Sequence, residues 1–152
     1  MRRGGLLIGA ALALGPATAA EPGLDVTGHV EHVLHLTDQD LRALPQTTVD
    51  ATFQTGHGPQ TGPFSGTRLW AVIDKAGIAE PPGTKGGHHL GHDIRVIGRD
   101  GYAVVIALGE IDPDFEGKSV LLTEGPDGLK LIVPGDKHAG RNVHDIVRIE
   151  VD

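Results

Sequence analysis

Leu131–Val151 reads LIVPGDKHAGRNVHDIVRIEV, and this run decides how the rest of the chain is read. Its apolar start continues a stretch from Leu129 to Val133, and Pro134-Gly135 ends it, because proline gives no ladder donor and glycine supplies a sharp turn. From Val143 to Val151 branched apolar residues return in a pattern that predicts a closing strand. The intervening segment gathers Lys137, His138, Arg141 and His144, a local basic cluster in an acidic chain. Such a cluster suits an anionic or polar ligand held by charge-assisted hydrogen bonds, and it equally suits a solvated turn.

Working outward, the remaining segments predict an α+β chain rather than alternating βαβ units. Val120 to Leu122 and Leu129 to Val133 flank a turn at Pro126-Asp127-Gly128, and Ile94 to Ile97 and Tyr102 to Ala107 flank Asp100-Gly101, a strong hairpin signal. Val49, Ala51 and Phe53 alternate with polar neighbours as one face of a strand. Leu24 to Val30 and Val33 to Leu36 read as short strands. Thr37 and Asp40 form a capping-box start for a short helix ended by Pro45. Between Thr67 and Ala76, Leu69, Trp70, Val72, Ile73 and Ala76 recur at helical spacing, with Gly77 at the C-cap, so Trp70 is read as core. Gly56 to Gly66 and Glu80 to Gly91, rich in Gly, Pro and His, read as linker-like loops.

Length and composition fit one small domain: 152 residues, 39% hydrophobic, 23 glycines. Residues 1–20 carry Arg2 and Arg3, an apolar run from Leu6 to Leu14 and the small-residue motif Ala17-Thr18-Ala19. That order is an export signal, and the run is too short to span a membrane. The expected division is thus a signal peptide over residues 1–20 and a single domain over 21–152, soluble in the periplasm. Losing the two arginines takes the net charge from −7 to −9, which excludes nucleic acid and anionic membrane surfaces as partners. With no cysteine, no disulfide forms even in an oxidising compartment.

Three stretches together resemble one known family: LIVPGDKHAGRNVHDIVRIEV, TFQTGHGPQTGPFSGTRLWAVIDKAGI and RDGYAVVIALGEID. They are similar to the molybdopterin-binding domain of the sulfite oxidase superfamily, and the resemblance runs from about Val26 onward. It implies a mixed β-sheet, barrel-like fold with a few short helices. In catalytic members, the loop after the strand that holds Phe53 carries a cysteine whose thiolate ligates molybdenum. Here that place reads Phe53, Gln54, Thr55, Gly56, His57. Thr55 falls at or within one place of the missing thiol, and an alcohol neither ionises near neutral pH nor suits a thiophilic metal. Read without the family, Thr55 is a strand-ending residue bonded to its own loop.

The resemblance further implies a cofactor pocket of Thr55, Gly56, His57, Gly58, Lys137, His138, Arg141 and His144, with no catalytic residue and no metal ligand. Arg141 comes from the pattern G-x-K-x-x-x-R before the final strand, and His144 stands where relatives often have lysine. Gly56 and Gly58 leave the backbone beside His57 open to a flat ligand. Small exported relatives without the cysteine bind reduced pterins and relay that state to a membrane-bound signalling enzyme, typically a cyclic-dinucleotide cyclase and phosphodiesterase. This chain looks like that group. The alternative is a molybdopterin-dependent oxidoreductase, or its subunit, with a non-cysteine metal shell. A metal carrier is a third class.

Other signatures are weaker. His88, His89 and His92 have helical ligand spacing, but Gly86, Gly87 and Gly91 oppose a stable helix. His29, His32 and His35 cannot all share one strand face. Both clusters are therefore read as surface histidines. Glu110, Asp112 and Asp114 around Pro113 read as a capping and solubility device. No phosphate loop, dinucleotide fingerprint or nucleophile elbow occurs.

Overall fold

The structure, a computed structural model, describes residues 21–85 and 88–152. The expected export signal lies outside the described residues, as do residues 86 and 87 of the glycine-rich stretch.

Two open sheets carry the chain. The first is built from β1 (Leu24–Gly28), β2 (Leu34–Leu36), β5 (Asp93–Gly98), β6 (Ala103–Ala107) and β9 (Ile146–Val151), in the order β2-β1-β9-β5-β6. The closing strand β9 sits at its centre, parallel to β1 and antiparallel to β5. Ile146, Ile149 and Val151 are buried there. The second sheet is β3 (Gln46–Thr55), β4 (Gly58–Arg68), β7 (Leu121–Gly125) and β8 (Gly128–Ile132), in that order. Both hairpin turns predicted at Asp100-Gly101 and Pro126-Asp127-Gly128 are present.

The expected barrel-like closure is not what forms. No strand ladder joins the two sheets among the described residues, and barrel closure requires that continuity. The passage from β8 to β9 instead spends its residues on a loop, linked back by Leu131 N–H donating to Val143 O at 2.8 Å. For the same reason the closing strand begins at Ile146 rather than Val143.

The stretch expected as a loop from Gly56 to Gly66 is mostly strand. Its glycines and prolines hid a ten-pair antiparallel ladder from Gln46↔Thr67 to Thr55↔Gly58. Thr48 with Ser65 (2.6 Å) and Thr52 with Thr61 (3.1 Å) bond across it, a cross-strand pairing that suits a solvated face. Pro59 and Pro63 are tolerated because β4 meets β7 only at Thr67 and Arg68, which leaves the edge beside both prolines without a ladder to serve. On the other face Phe53 is fully buried with Leu121 and Ile132, and Val49, Ala51, Phe64 and Ala139 pack around them.

The main core lies against the first sheet. Helix α1 (Asp38–Ala43) has the capping box read from the sequence: Asp40 N–H donates to Thr37 Oγ1, and Thr37 N–H donates to the Asp40 carboxylate. Helix α2 (Leu69–Ala76) buries Leu69, Val72, Ile73 and Ala76, each large side chain worth about 1.5–3 kcal/mol. It starts two residues later than periodicity predicts, because Thr67 and Arg68 are claimed by the ladder to β7. Trp70 is only half-buried, at the margin of this core. A short helix α3 (Leu108–Ile111) and two 3-10 turns, His88–Gly91 and Ala139–Arg141, complete the described elements. Among the described residues no helix is long and apolar enough to cross a membrane.

Candidate functional site

The hairpin β3–β4 ends in a two-residue turn, Gly56-His57, which holds His57 out at its tip. Thr55 fixes that turn: its hydroxyl donates to Gly58 O at 2.7 Å and accepts from His57 N–H at 3.1 Å. The strand-ending role read for Thr55 is thus realised. Gly58 takes φ of 99°, a conformation that favours glycine, so the turn is sequence-specific.

The basic loop after β8 is laid beside this tip. Gln54 N–H donates to Lys137 O at 2.8 Å, and a parallel bridge joins Gln54 to His138. The two segments named from the sequence therefore meet. Between them runs a solvent-open groove of about 480 Å³, lined by Thr55, His57, Gly58 and His144 together with Pro59, Gln60, Lys130 and Ala139. Four of the eight expected site residues thus face one space. Gly56 sits exposed in the turn, and Lys137 and His138 are exposed outside the groove lining.

Arg141 also stands outside that lining. Its Nε and one terminal nitrogen each donate to Asp136 at 2.8 Å, and the other terminal nitrogen donates to Glu110 at 3.2 Å. Three of five N–H groups are thereby spent on carboxylates. Lys118 joins at 3.3 Å from Glu110, making a half-buried network that ties the loop to α3. The two-armed bond from Arg141 holds the Asp136 carboxyl below its usual range. For Glu110 burial pulls upward, but bonds from Ala107 N–H, Lys118 and Arg141 outweigh it and the net shift is downward. The Arg141 guanidinium is held charged by Asp136, against the pull of burial.

Two further residues shape the loop without having been singled out. Asn142 is buried, and its Oδ1 accepts from Val133 N–H at 3.1 Å. Tyr102, just before β6, donates its hydroxyl to Gly140 O at 2.7 Å. Lys130 also lines the groove, from strand β8 rather than from a loop. Its signal was there: in Leu129-Lys130-Leu131 the lysine faces opposite to two buried leucines, toward the groove.

The histidine-rich segment lies elsewhere. His89, read as a surface residue, is half-buried, 3.1 Å from Asp112 and 3.8 Å from Glu80, with Phe115 edge-on. His29, His32 and His35 are exposed, as expected. Asp112 Oδ1 accepts from Asp114 N–H and Glu110 Oε2 from Ala107 N–H, the capping uses read for these acids. Among the described residues no three His, Asp or Glu side chains converge to hold one metal ion.

The groove is large enough to take a small polar ligand. Its volume falls within the range of small-molecule sites, and its lining combines Lys130, Gln60, His57 and His144, which offer donors and acceptors, with the apolar Pro59 and Ala139. A molybdenum centre is a poor match: the chain has no thiol, and the Thr55 hydroxyl is engaged by its own turn.

The fold and groove define an α+β domain with a ligand-sized cleft between a hairpin tip and a basic loop. Its fold is similar to that of the sulfane dehydrogenase SoxCD from Paracoccus pantotrophus, with a TM-score of 0.67 over 85% of this chain and 18% sequence identity. The chain spans 37% of the length of that protein's chain, so the likeness is one of fold over a part of a larger molecule. No protein-family model matches the sequence, and no curated protein matches it.

Proposed function

We propose that this chain is a periplasmic pterin-binding protein that performs no redox chemistry itself and relays its ligand state to a membrane-bound signalling enzyme. The observation that carries this reading is the groove between the Thr55–Gly58 turn and the loop ending at His144. It lies where the sulfite oxidase-like resemblance expects a pterin, and it is lined by polar groups that a buried pterin amide and amine require. The absence of cysteine weighs against a molybdenum-holding oxidoreductase, which is the second reading, supported by the fold likeness to SoxCD. If a pterin is bound, its ring would lie on Pro59 and Ala139, with His57 and His144 at its polar edges and Lys130 near any anionic substituent.

Calorimetric titration with a tetrahydropterin tests this reading. Lys130→Ala and His57→Ala are each expected to weaken binding by roughly 1–2 kcal/mol, about five- to thirtyfold, while His89→Ala, far from the groove, changes little. Unchanged affinity in both groove variants would remove the site from this place. Stoichiometric molybdenum in protein isolated from its natural source would favour the oxidoreductase.

A further inference from the structure

Neither histidine cluster of the sequence makes a metal site alone, but the fold brings one member of each together. His29 follows β1 and His92 precedes β5, and their ring centres are 5.7 Å apart at an interplanar angle of 41°. We propose that His29 and His92 form a binding site for a divalent first-row transition ion, with water completing the coordination shell.

Three features support it. First, both residues are held from the backbone. His29 N–H donates to Val151 O at 2.7 Å and its carbonyl accepts from Ala79 N–H, while His92 N–H donates to His89 O and its carbonyl accepts from Leu108 N–H. The close approach at β9 depends on Gly28, where a Cβ would collide with the Val151 carbonyl and φ is 95°. Second, His92 Nδ1 lies 2.6 Å from the main-chain oxygen of Asp152. That oxygen only accepts, so Nδ1 is the donor, and Nε2 is the ring nitrogen left to meet an ion. A ring fixed in this way by an oxygen behind it is the usual state of a metal-bound imidazole. Third, the spacing fits. With metal–nitrogen bonds of about 2.0–2.1 Å, an ion sits roughly 3.2 Å from each ring centre, so two sharing rings are at most roughly 6.4 Å apart. A tetrahedral angle needs roughly 5.2 Å, a closure of about 0.5 Å that rotation of the exposed His29 side chain supplies.

Two imidazole ligands with open positions select Cu²⁺ over Zn²⁺ by the ordinary order of divalent affinities. The test is titration of the full exported chain with Cu²⁺ and with Zn²⁺ alone, followed by calorimetry and by histidine ring resonances. One ion per chain is expected, Cu²⁺ tighter than Zn²⁺, with the His29 and His92 ring signals shifting together under Zn²⁺ and broadening together under Cu²⁺. His29→Ala and His92→Ala should each weaken binding by at least about tenfold, and His35→Ala, another exposed histidine, should leave it unchanged. Binding by either variant within about twofold of wild type, or no one-to-one uptake by wild type, would overturn the site and leave the rings as neighbours in simple contact. Pterin affinity is independent of this result, because the two sites share no residue.

Discussion

Replacing Arg141 by alanine separates a loop-holding role from a ligand-contacting one. The variant removes both donors to Asp136, which has no other side-chain partner in the network, whereas Glu110 keeps Lys118 and Ala107 N–H. The pair is intermediate between a solvated ion pair, worth about 0–1 kcal/mol, and a buried one, whose disruption costs about 3–5 kcal/mol. With Arg141 and Asp136 side chains 31% and 23% exposed, a loss of roughly 1.5–3 kcal/mol is expected near pH 7. The pH dependence follows from the lowered Asp136 and Glu110 values. Carboxylates with depressed folded values contribute stability above their unfolded values of about 4, and that contribution fades as pH falls through the lower folded values. Urea unfolding of wild type and Arg141→Ala at pH 7 and near pH 3 reads this directly, and Arg141→Lys should recover only part, since a lysine cannot form the two-armed pair. A loss under about 0.5 kcal/mol at pH 7, or an equal loss at both pH values, would refute the network as the holder of the loop.

Phe53→Ala empties the centre of the smaller core, where Phe53 is completely buried beside Leu121 and Ile132. Its expected cost is roughly 3–5 kcal/mol with loss of the groove, and a denaturation midpoint near wild type would contradict the packing described. His35 Nδ1 lies 2.6 Å from Asp25, whose bond, followed by that to the Glu21 carbonyl, raises the imidazole above its ordinary value. The stability it lends is present below about pH 6.5 and is lost as pH rises through the raised value. An NMR titration should place its midpoint above 6.5 and Asp25→Asn should lower it; a wild-type midpoint at or below 6.5 would show the pair to be absent in solution.

Turn chemistry and periodicity made much of the fold legible. Thr37 with Asp40, Asp100-Gly101 and Pro126-Asp127-Gly128 each act through bonds local to a few residues, so the sequence shows them directly. The β3–β4 ladder was hidden because its outward face is solvated: threonine, serine, glycine and proline pair across it where a strand pattern looks for apolar alternation. For the site, adjacency of the Thr55 turn and the basic loop came through the family resemblance, and the structure brings both together at Gln54 and Lys137. Residue roles inside it were less visible. Arg141 is spent on Asp136 and Glu110, one close in sequence and one distant, and no linear pattern reports that competition. Lys130 required reading a strand's outward position as part of a pocket.

Amide mapping by two-dimensional NMR, with a tetrahydropterin added stepwise to ¹⁵N-labelled protein, tests the central claim most directly. The account predicts saturable shifts confined to Thr55–Gly58, Gln60, Lys130, Ala139 and His144, with Arg42, Glu80 and His89 unmoved. Absence of saturable shifts, or shifts centred on His89 or on Arg42 and Glu124, would contradict it.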